Sequence, residues 1–464
     1  MLGERRGLGS EGAREGAKAE EIGVSLTNLQ KVEKLQSALQ AKAKGSPDFR
    51  FYSLYDKLYR EDVLAVAYER CRLNGGAPGV DGQTFEGIEA YGRERWLDEL
   101  AEELRRKDYR CSAVRRVYIP KTNGKRRPLG IPRIRDRVVQ EAAVMILEPI
   151  FEVDLQPEQY AYRSGKRAHD AIRKVHGLLS SGHTEVIDAD LSGYFDSIPH
   201  SQLMKSVARR VSDKAMLHLI KCWLEAPVEE TDERGNIQRT TRNRDEKRGT
   251  PQGAPISPLL SNVYMRRFVL GWETLGHERR FDAHIVNYAD DYVICCRATA
   301  EKAMAAMRGM MDKLRLIVNE QKTRLCRVPH ESFDFLGYTI GRCYSPRTGK
   351  AYIGTRPAKE KVRALCHEIS AMTARKFTFL PAEEMVADIN SKLVGWANYF
   401  CLGPVSKAYH AVDRHARQRL CQWLCRKHKV QGRGASRFSW IYLYQTLGLI
   451  ELTPLTHNFP WAKA

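Results

Sequence analysis

Two adjacent carboxylates, Asp290 and Asp291, stand at the centre of an otherwise apolar, β-prone stretch running from His284 to Cys296. Neighbouring like charges in such a setting are costly unless a cation is bound. Strand formers on both sides predict a hairpin with the pair at or beside its tip, where both carboxylates reach one or two divalent ions. From this segment alone, a solvated Asp-Asp turn between two core strands fits equally well. Upstream, the stretch from Glu185 to Ile198 repeats the arrangement: an apolar strand runs into Asp190, then into Tyr194, Phe195 and Asp196. Two-metal phosphoryl transfer needs several carboxylates around cations about 3.5–4 Å apart, one activating the attacking hydroxyl and one stabilising the leaving oxygen. Asp190, Asp290 and Asp291 supply that set.

The elements that must position these groups are legible around them. Residues 1–50, rich in Gly, Ala, Glu, Lys and Arg, predict a partly disordered leader with one weakly amphipathic helix between Ser25 and Lys42. From Phe51 to Tyr109 the periodicity is helical (Leu54, Leu58, Val63, Val66, Ala67), broken by the Gly-rich run from Asn74 to Gly82. Ala113 to Lys121 and Arg126 to Ile131 predict two strands around Thr122-Asn123-Gly124-Lys125, since Asn-Gly is a strong hairpin signal. Lys121 and Arg127 lie one on each arm, either as grips for a triphosphate or as ordinary solvated strand residues. The apolar face of Asp136 to Glu152 predicts a helix on the sheet, and Glu301 to Leu314 an amphipathic helix whose Met stripe packs in the core. Between them, Gly249 to Asn262 reads as a loop entering a helix near Ser257-Pro258, with Ser at the cap and Pro in the first turn.

The chain has 464 residues, enough for two or three domains. Its 76 Lys plus Arg against 56 Asp plus Glu give a net charge of +20, which favours a polyanionic partner, nucleic acid before anionic membrane. From Arg356 to Ala464, 17 basic residues face 7 acidic ones, interleaved with Trp396, Tyr399, Phe400, Trp423 and Trp440. Solvated basic helices on an apolar face share that composition, but its concentration favours a nucleic-acid cradle. No apolar run is long enough to span a bilayer, and the N-terminus lacks a signal-peptide layout, so a cytoplasmic protein without membrane contact is expected. Eleven scattered cysteines predict free thiols. Cys421, Cys425 and His428 have metal-ligand spacing on a helix but lack a fourth ligand, so small buried thiols are expected there.

The motifs then converge. Tyr288-Ala289-Asp290-Asp291, the block from Asp190 to Asp196, and Pro251-Gln252-Gly253-Ala254-Pro255-Ile256-Ser257-Pro258 between them resemble the reverse transcriptase of bacterial group II introns, the intron-encoded maturase. The series continues through Asn319-Glu320-Gln321-Lys322-Thr323, Phe333 to Tyr338, and Gly395-Trp396-Ala397-Asn398-Tyr399-Phe400, so it covers nearly everything from about residue 50 onward. Ser257-Pro258 also separates the chain from diversity-generating retroelement enzymes, which usually carry Ser-Gln at that place.

The resemblance implies an α+β right-hand polymerase: fingers and palm with an antiparallel catalytic sheet, then an α-helical thumb. In its terms residues 51–115 extend the fingers, 116–345 form fingers and palm, 355–430 the thumb or maturase domain, and 431–464 a short DNA-binding-like tail without the endonuclease of some members. It assigns Asp190, Leu191, Asp290 and Asp291 to two Mg²⁺ ions, and Lys121, Arg127, Phe195, Gln252 and Gly253 to the incoming dNTP. Phe195 falls at the gate beneath the sugar, where a ring rejects a 2′-hydroxyl. Arg163, Gly165, Lys322, Leu336 and Gly337 are expected at template and primer, and Trp396, Tyr399, Arg426, Lys427 and Lys429 at RNA in the thumb. Implied partners are group II intron RNA, an RNA template with DNA primer, and a DNA target. Two alternatives stay open: a maturase that splices without polymerising, and a related enzyme adopted for DNA repair or CRISPR spacer acquisition.

Overall fold

The computed structural model describes residues 25–120, 126–232, 234–345, 347–431 and 437–458. Its strands in chain order are β1 (Val114–Pro120), β2 (Arg126–Ile131), β3 (Glu185–Asp190), β4 (Val228–Thr231), β5 (Ile237–Thr240), β6 (Ala283–Tyr288), β7 (Asp291–Cys296), β8 (Arg324–Arg327), β9 (Phe333–Phe335), β10 (Tyr338–Tyr344) and β11 (Ala351–Pro357). Among the described residues they form three sheets, ordered β2-β1-β4-β5, β6-β7-β3-β8 and β11-β10-β9. The second is antiparallel throughout and is the catalytic sheet expected from the sequence.

Alternation explains why that sheet is rigid. Ile187 and Ala189 of β3, with Tyr292, Ile294 and Cys296 of β7, enter a core shared with helices Ser257–Thr274 and Ala300–Lys313. Their neighbours Val186, Val293 and Cys295 enter a second core, built with helix Ala168–Ser180 and the β9–β11 sheet. Period-two side chains thus bury both faces, and a one-residue slip would exchange the two sets, so the register is strongly fixed. The Met stripe expected for packing is there: Met307, Met310 and Met311 are buried in the first core.

Of the expected leader, residues 1–24 lie outside the described residues, and the helix expected from Ser25 forms but is packed into the fold. Helix Leu26–Gly45 starts at Ser25, whose hydroxyl accepts from Asn28 N at 3.3 Å. It buries Leu29, Val32, Leu39 and Ala43, and Gln36 Nε2 donates to Met145 O at 2.9 Å. Arg210, 1% exposed, donates to the carbonyls of Ala43 and Ser46 at 2.8 and 3.1 Å and pairs with Asp154 at 3.0 Å. Residues 25–50 therefore belong to the fingers. The weak periodicity hid this because Arg210, far away in sequence, ties down that helix's C-terminal carbonyls.

Two other boundaries move. β10 pairs with β11 over seven positions from Tyr338↔Pro357 to Tyr344↔Ala351, so a division at residue 345 would cut a hairpin. The C-terminal helices Lys359–Met372, Ala382–Tyr399 and Ser406–Lys427 have their own core, as expected of a thumb. The expected tail from 431 is part of that core: Phe438, Leu443, Leu449 and Leu452 are buried in it. Buried Asp413 accepts from Leu452 N and Thr453 N at 2.9 Å each and from Thr453 Oγ1 at 2.6 Å. Among the described residues no helix is long and apolar enough to cross a membrane.

Replacing Asp413 by Ala leaves those donors without their acceptor, and a buried unpaired polar group costs about 1–3 kcal/mol. The Asp413→Ala protein is expected to lose about 2 kcal/mol in urea unfolding followed by thumb tryptophan fluorescence, and to be cleaved faster after residue 437 by limited proteolysis.

Candidate active site

Asp190 is the last residue of β3, Asp291 the first of β7, and the two are direct partners in the antiparallel register. Asp290 occupies the two-residue turn between β6 and β7, after Ala289 at φ +58°. A non-glycine residue rarely takes that conformation. Here the buried amide of Asn287 supports it, with Nδ2 donating to Ala289 O at 2.8 Å. Asn287 also exchanges main-chain bonds with residues 158–160, Tyr160 N to Asn287 O and Asn287 N to Glu158 O, both 2.9 Å. The hairpin tip expected from sequence therefore brings Asp290 and Asp291 beside Asp190 at the end of β3.

The segment after residue 316 closes over Asp190. Ser192 N donates to Ile317 O at 2.8 Å and Asn319 N to Asp190 O at 2.9 Å. On the carboxylate itself, Asn319 Nδ2 lies 2.9 Å and Lys322 Nζ 3.0 Å from Oδ2. Lys322, expected near primer or phosphate, is thus a cation on the metal-site acid. Desolvation by the cleft and repulsion from Asp290, Asp190 and Asp188 push the Asp291 carboxyl up to about 6, with Lys322 opposing. Asp291 stays open to solvent, so repulsion is the part that a bound cation relieves. Three carboxylates on adjoining strand ends are a hard-oxygen donor set suited to divalent ions. Leu191 has a buried apolar side chain, so only its main-chain carbonyl can join them.

A cavity of about 580 Å³ is lined by Phe195, Gln252, Gly253, Gly76, Leu129 and Tyr162 among others, the three acids not included. Three residues expected at the dNTP are thus brought together, along with the Gly-rich break of 74–82. Phe195 is 6% exposed, and its carbonyl accepts from Thr250 N at 2.7 Å. Gly253 has φ +107°, and a Cβ there would sit 2.7 Å from Gly130 O. Its glycine is required by close packing on β2 and not only by access to a base pair. Gln252 Nε2 donates to Asp196 Oδ2 at 2.9 Å. Lys121 lies outside the described residues; Arg127 holds its predicted place on β2, opposite Ile119. Ser257 is a correction: it lies inside the helix, donating to Pro251 O at 2.9 Å, while Ile256 takes the cap position.

Residues 119–340 match the family described as Reverse transcriptase (RNA-dependent DNA polymerase), and 362–440 match Group II intron, maturase-specific domain. Protein YkfC of Escherichia coli (strain K12) is 34% identical over 74% of this chain and 96% of its own length. The Group II intron-encoded protein LtrA of Lactococcus lactis subsp. cremoris is 32% identical over 47% of this chain and 35% of that protein. This chain belongs to the group II intron reverse transcriptase/maturase family. Its family chemistry is RNA-directed DNA synthesis with divalent metal ions, and its members bind RNA. A solved partial Cas6-RT-Cas1–Cas2 complex matches 56% of this chain and 42% of its own at 21% identity and TM-score 0.35, too remote to add to that assignment.

In this reverse transcriptase several residues expected at nucleic acid are occupied with the protein itself. Arg163 is the clearest correction. Its guanidinium meets Glu152 Oε1 at 2.6 Å and donates to the carbonyls of Gln156 and Gln159 at 2.6 and 2.8 Å, and its side chain is 6% exposed. Those acceptors leave it no reach toward a template. Gly165, at φ +74°, is exposed in the adjoining turn. Leu336 and Gly337 form the two-residue turn of the β9–β10 hairpin at φ +50° and +80°, the geometry that suits strand twist.

Tyr399 donates its hydroxyl to Leu336 O at 2.8 Å, and its own carbonyl is 2.6 Å from His169 Nε2. Trp396 packs on Phe400 and Tyr409 at ring-centroid distances of 4.8 and 5.8 Å. Tyr399 thus joins thumb to palm while Trp396 packs within the thumb, and neither is a free stacking platform. Lys427 likewise donates to the carbonyls of Thr378 and Leu380, at 3.1 and 2.7 Å. Arg426 and Lys429 are exposed, as expected of phosphate contacts, and border a groove of about 1150 Å³ with Arg417, Phe438 and Trp440. His428 packs against Phe438, and no metal cluster with Cys421 and Cys425 forms among the described residues. Asn319 was quoted only within a motif; its role on Asp190 comes from a contact 129 residues away.

Removing one partner of a buried ion pair costs about 3–5 kcal/mol. Arg163→Ala is therefore expected to lower the Tm in a thermal melt while leaving template affinity in a filter-binding assay within about twofold at a temperature where it is folded. Because the Asp291 carboxyl is raised to about 6, protons displace the cation below that value. Primer extension at limiting Mg²⁺ should fall as pH drops through about 6, and added Mg²⁺ should move the midpoint lower. In metal-free protein the linkage has the opposite sense: this group's folded pKa is raised, so it favours folding as pH falls from about 6 toward 3.8.

Proposed function

We propose that this chain copies RNA into DNA by two-metal nucleotidyl transfer and binds group II intron RNA to assist splicing and retrohoming. The observation that carries the reading is the direct pairing of Asp190 with Asp291, with Asp290 in the adjoining turn. Asp190, Asp290, Asp291 and the Leu191 carbonyl would hold two Mg²⁺, which supply activation of the primer 3′-hydroxyl and neutralisation of the leaving pyrophosphate.

The chain's own residues do the rest. Lys322 balances Asp190 and stands ready to exchange that carboxylate for a phosphate oxygen. Phe195, held from behind by the Thr250 contact, forms a rigid floor that a ribose 2′-hydroxyl would strike. Gln252, anchored on Asp196, keeps its amide at the edge of the same cavity. Lys121 and Arg127, the pair that the resemblance assigns to the incoming phosphates, would neutralise the triphosphate.

Intron RNA is best matched by the thumb. On helix Ser406–Lys427 the exposed residues Lys407, His410, Arg414 and Arg417 recur at intervals of three and four, one face of a helix. Arg417 also borders the groove that Arg426, Lys429 and Trp440 line. Phosphate neutralisation along such a stripe releases counter-ions and gives salt-dependent affinity.

The test is primer extension on an RNA template with dNTPs and Mg²⁺, comparing wild type with Asp290→Asn. The variant should lose about 100-fold or more in rate, with intron RNA affinity in gel shift unchanged within about twofold. Loss of RNA binding in the variant would refute the separation of palm and thumb roles. Absence of extension by wild type, with tight RNA binding kept, would identify a splicing-only maturase.

A further inference from the structure

At the end of the catalytic sheet away from the three acids, His183, Asp282 and His284 converge, with their nearest donor atoms all within 4.8 Å of one another. His183 lies two residues before β3 and Asp282 immediately precedes β6, and the seven residue steps from His183 to Asp190 span roughly 23 Å at 3.3–3.4 Å each. His183 Nε2 is 3.1 Å and His284 Nε2 3.7 Å from the same atom, Asp282 Oδ1.

The hydrogen bonds on the far side of each ring fix what faces the centre. His183 Nδ1 lies 3.0 Å from Ser181 Oγ and 3.3 Å from Leu178 O. Ser181 Oγ donates to Leu178 O at 2.8 Å, so both neighbours suit a hydrogen on Nδ1. His284 Nδ1 lies 3.0 Å from Glu278 Oε1, another acceptor suited to a ring hydrogen. In that tautomer both Nε2 atoms present lone pairs on the side of Asp282 Oδ1. With the two rings 4.8 Å apart, one divalent cation can accept all three lone pairs.

We propose that His183 Nε2, His284 Nε2 and Asp282 Oδ1 form a transition-metal site of the zinc class that clamps the base of the catalytic sheet. A tetrahedral ion with bonds of 2.0–2.1 Å has ligand-to-ligand edges of about 3.3–3.4 Å, and the 3.1 and 3.7 Å separations bracket that value. The surroundings are those of metal-bound histidines: Glu278 and Leu178 O orient the rings, and Arg297 Nε is 3.6 Å from the second Asp282 oxygen. Two imidazoles and one carboxylate select zinc-like ions over Mg²⁺, which prefers an all-oxygen shell. The clamp ties the start of β3 to the start of β6, the strands whose other ends carry Asp190 and the Asp290 turn. Solvent reaches half-exposed Asp282, leaving room for water as fourth ligand.

The experiment uses the full chain, stripped with a chelator, its accessible thiols blocked with iodoacetamide, and held in excess Mg²⁺ to fill the catalytic acids. Zinc is added, unbound metal is removed by gel filtration, and bound zinc is measured by elemental analysis. Wild type should retain one zinc per chain and gain thermal stability. His284→Gln and Asp282→Asn, both at partly exposed positions, should keep the circular dichroism of wild type, bind at least tenfold more weakly and lose the thermal shift. Cobalt in place of zinc should give tetrahedral visible bands without thiolate charge transfer. No zinc on wild type under these conditions, or equal zinc on wild type and both folded variants, would overturn the site.

Discussion

The palm is organised around a repulsion. Three carboxylates that would separate in a flexible chain are held on adjoining strand ends, where burial first and their repulsion second raise the Asp291 carboxyl to about 6. What holds them there is sheet register: six paired positions between β3 and β7 and six between β6 and β7, with both faces buried in different cores. A register slip would expose one core and overfill the other. The apolar layers therefore supply the force that keeps like charges together, and the electrostatic mismatch left over is what draws in a cation. Lys322 partly offsets it, paired with Asp190 at 3.0 Å and acting on Asp291 from farther away.

The same logic governs the joint between palm and thumb. Strained backbone at Leu336 and Gly337 puts a carbonyl where the Tyr399 hydroxyl reaches it, and Gly337 is needed because a Cβ would lie 3.3 Å from the Phe400 ring. Gly337 O also accepts from Ala358 N at 2.9 Å, at the start of the first thumb helix. The hairpin expected to touch the primer is thus mechanically continuous with the domain expected to hold RNA. Movement of the thumb must be felt at that hairpin, since the contacts linking them are hydrogen bonds at fixed distances and not a flexible linker.

Much of this was legible because local signals and tertiary outcome agree. The Asp290–Asp291 hairpin, the Asn-Gly hairpin strands, the Met stripe and the basic C-terminal helices follow from alternation, turn chemistry and composition. Assigning Asp190, Gln252 and Phe195 to one cleft needed the family resemblance, because no local periodicity relates positions 190, 252 and 290. Arg163, Trp396, Tyr399 and Lys427 were misread for a common reason. A cation or an aromatic beside a basic run has the same appearance in sequence whether it faces phosphate or a buried carbonyl, and only the fold delivers Glu152 or Thr378 O to it. The leader helix and the C-terminal tail were undervalued likewise, since Arg210 and Asp413 anchor them from remote positions.

Those corrections sharpen the electrostatic reading. In fingers and palm many arginines are already matched with acids: Arg60 with Asp62, Arg70 with Glu141, Arg93 with Glu69, Arg163 with Glu152, Arg324 with Asp188. From Arg356 onward 17 basic residues face only 7 acidic ones, so even complete one-to-one pairing leaves ten cations over. One of the seven acids, Asp413, is spent on backbone donors. The excess therefore cannot be absorbed within the thumb and must be met by solvent ions or by a polyanion. Because the apolar faces of its helices are closed around their own core, charge is displayed outward, part of it along one face of helix Ser406–Lys427. A duplex or folded RNA offers closely spaced phosphates and can release their condensed counter-ions on contact, which a diffuse ion cloud cannot match. A polyanion such as RNA is thus the partner favoured by a charge imbalance that the thumb's own sequence is unable to correct.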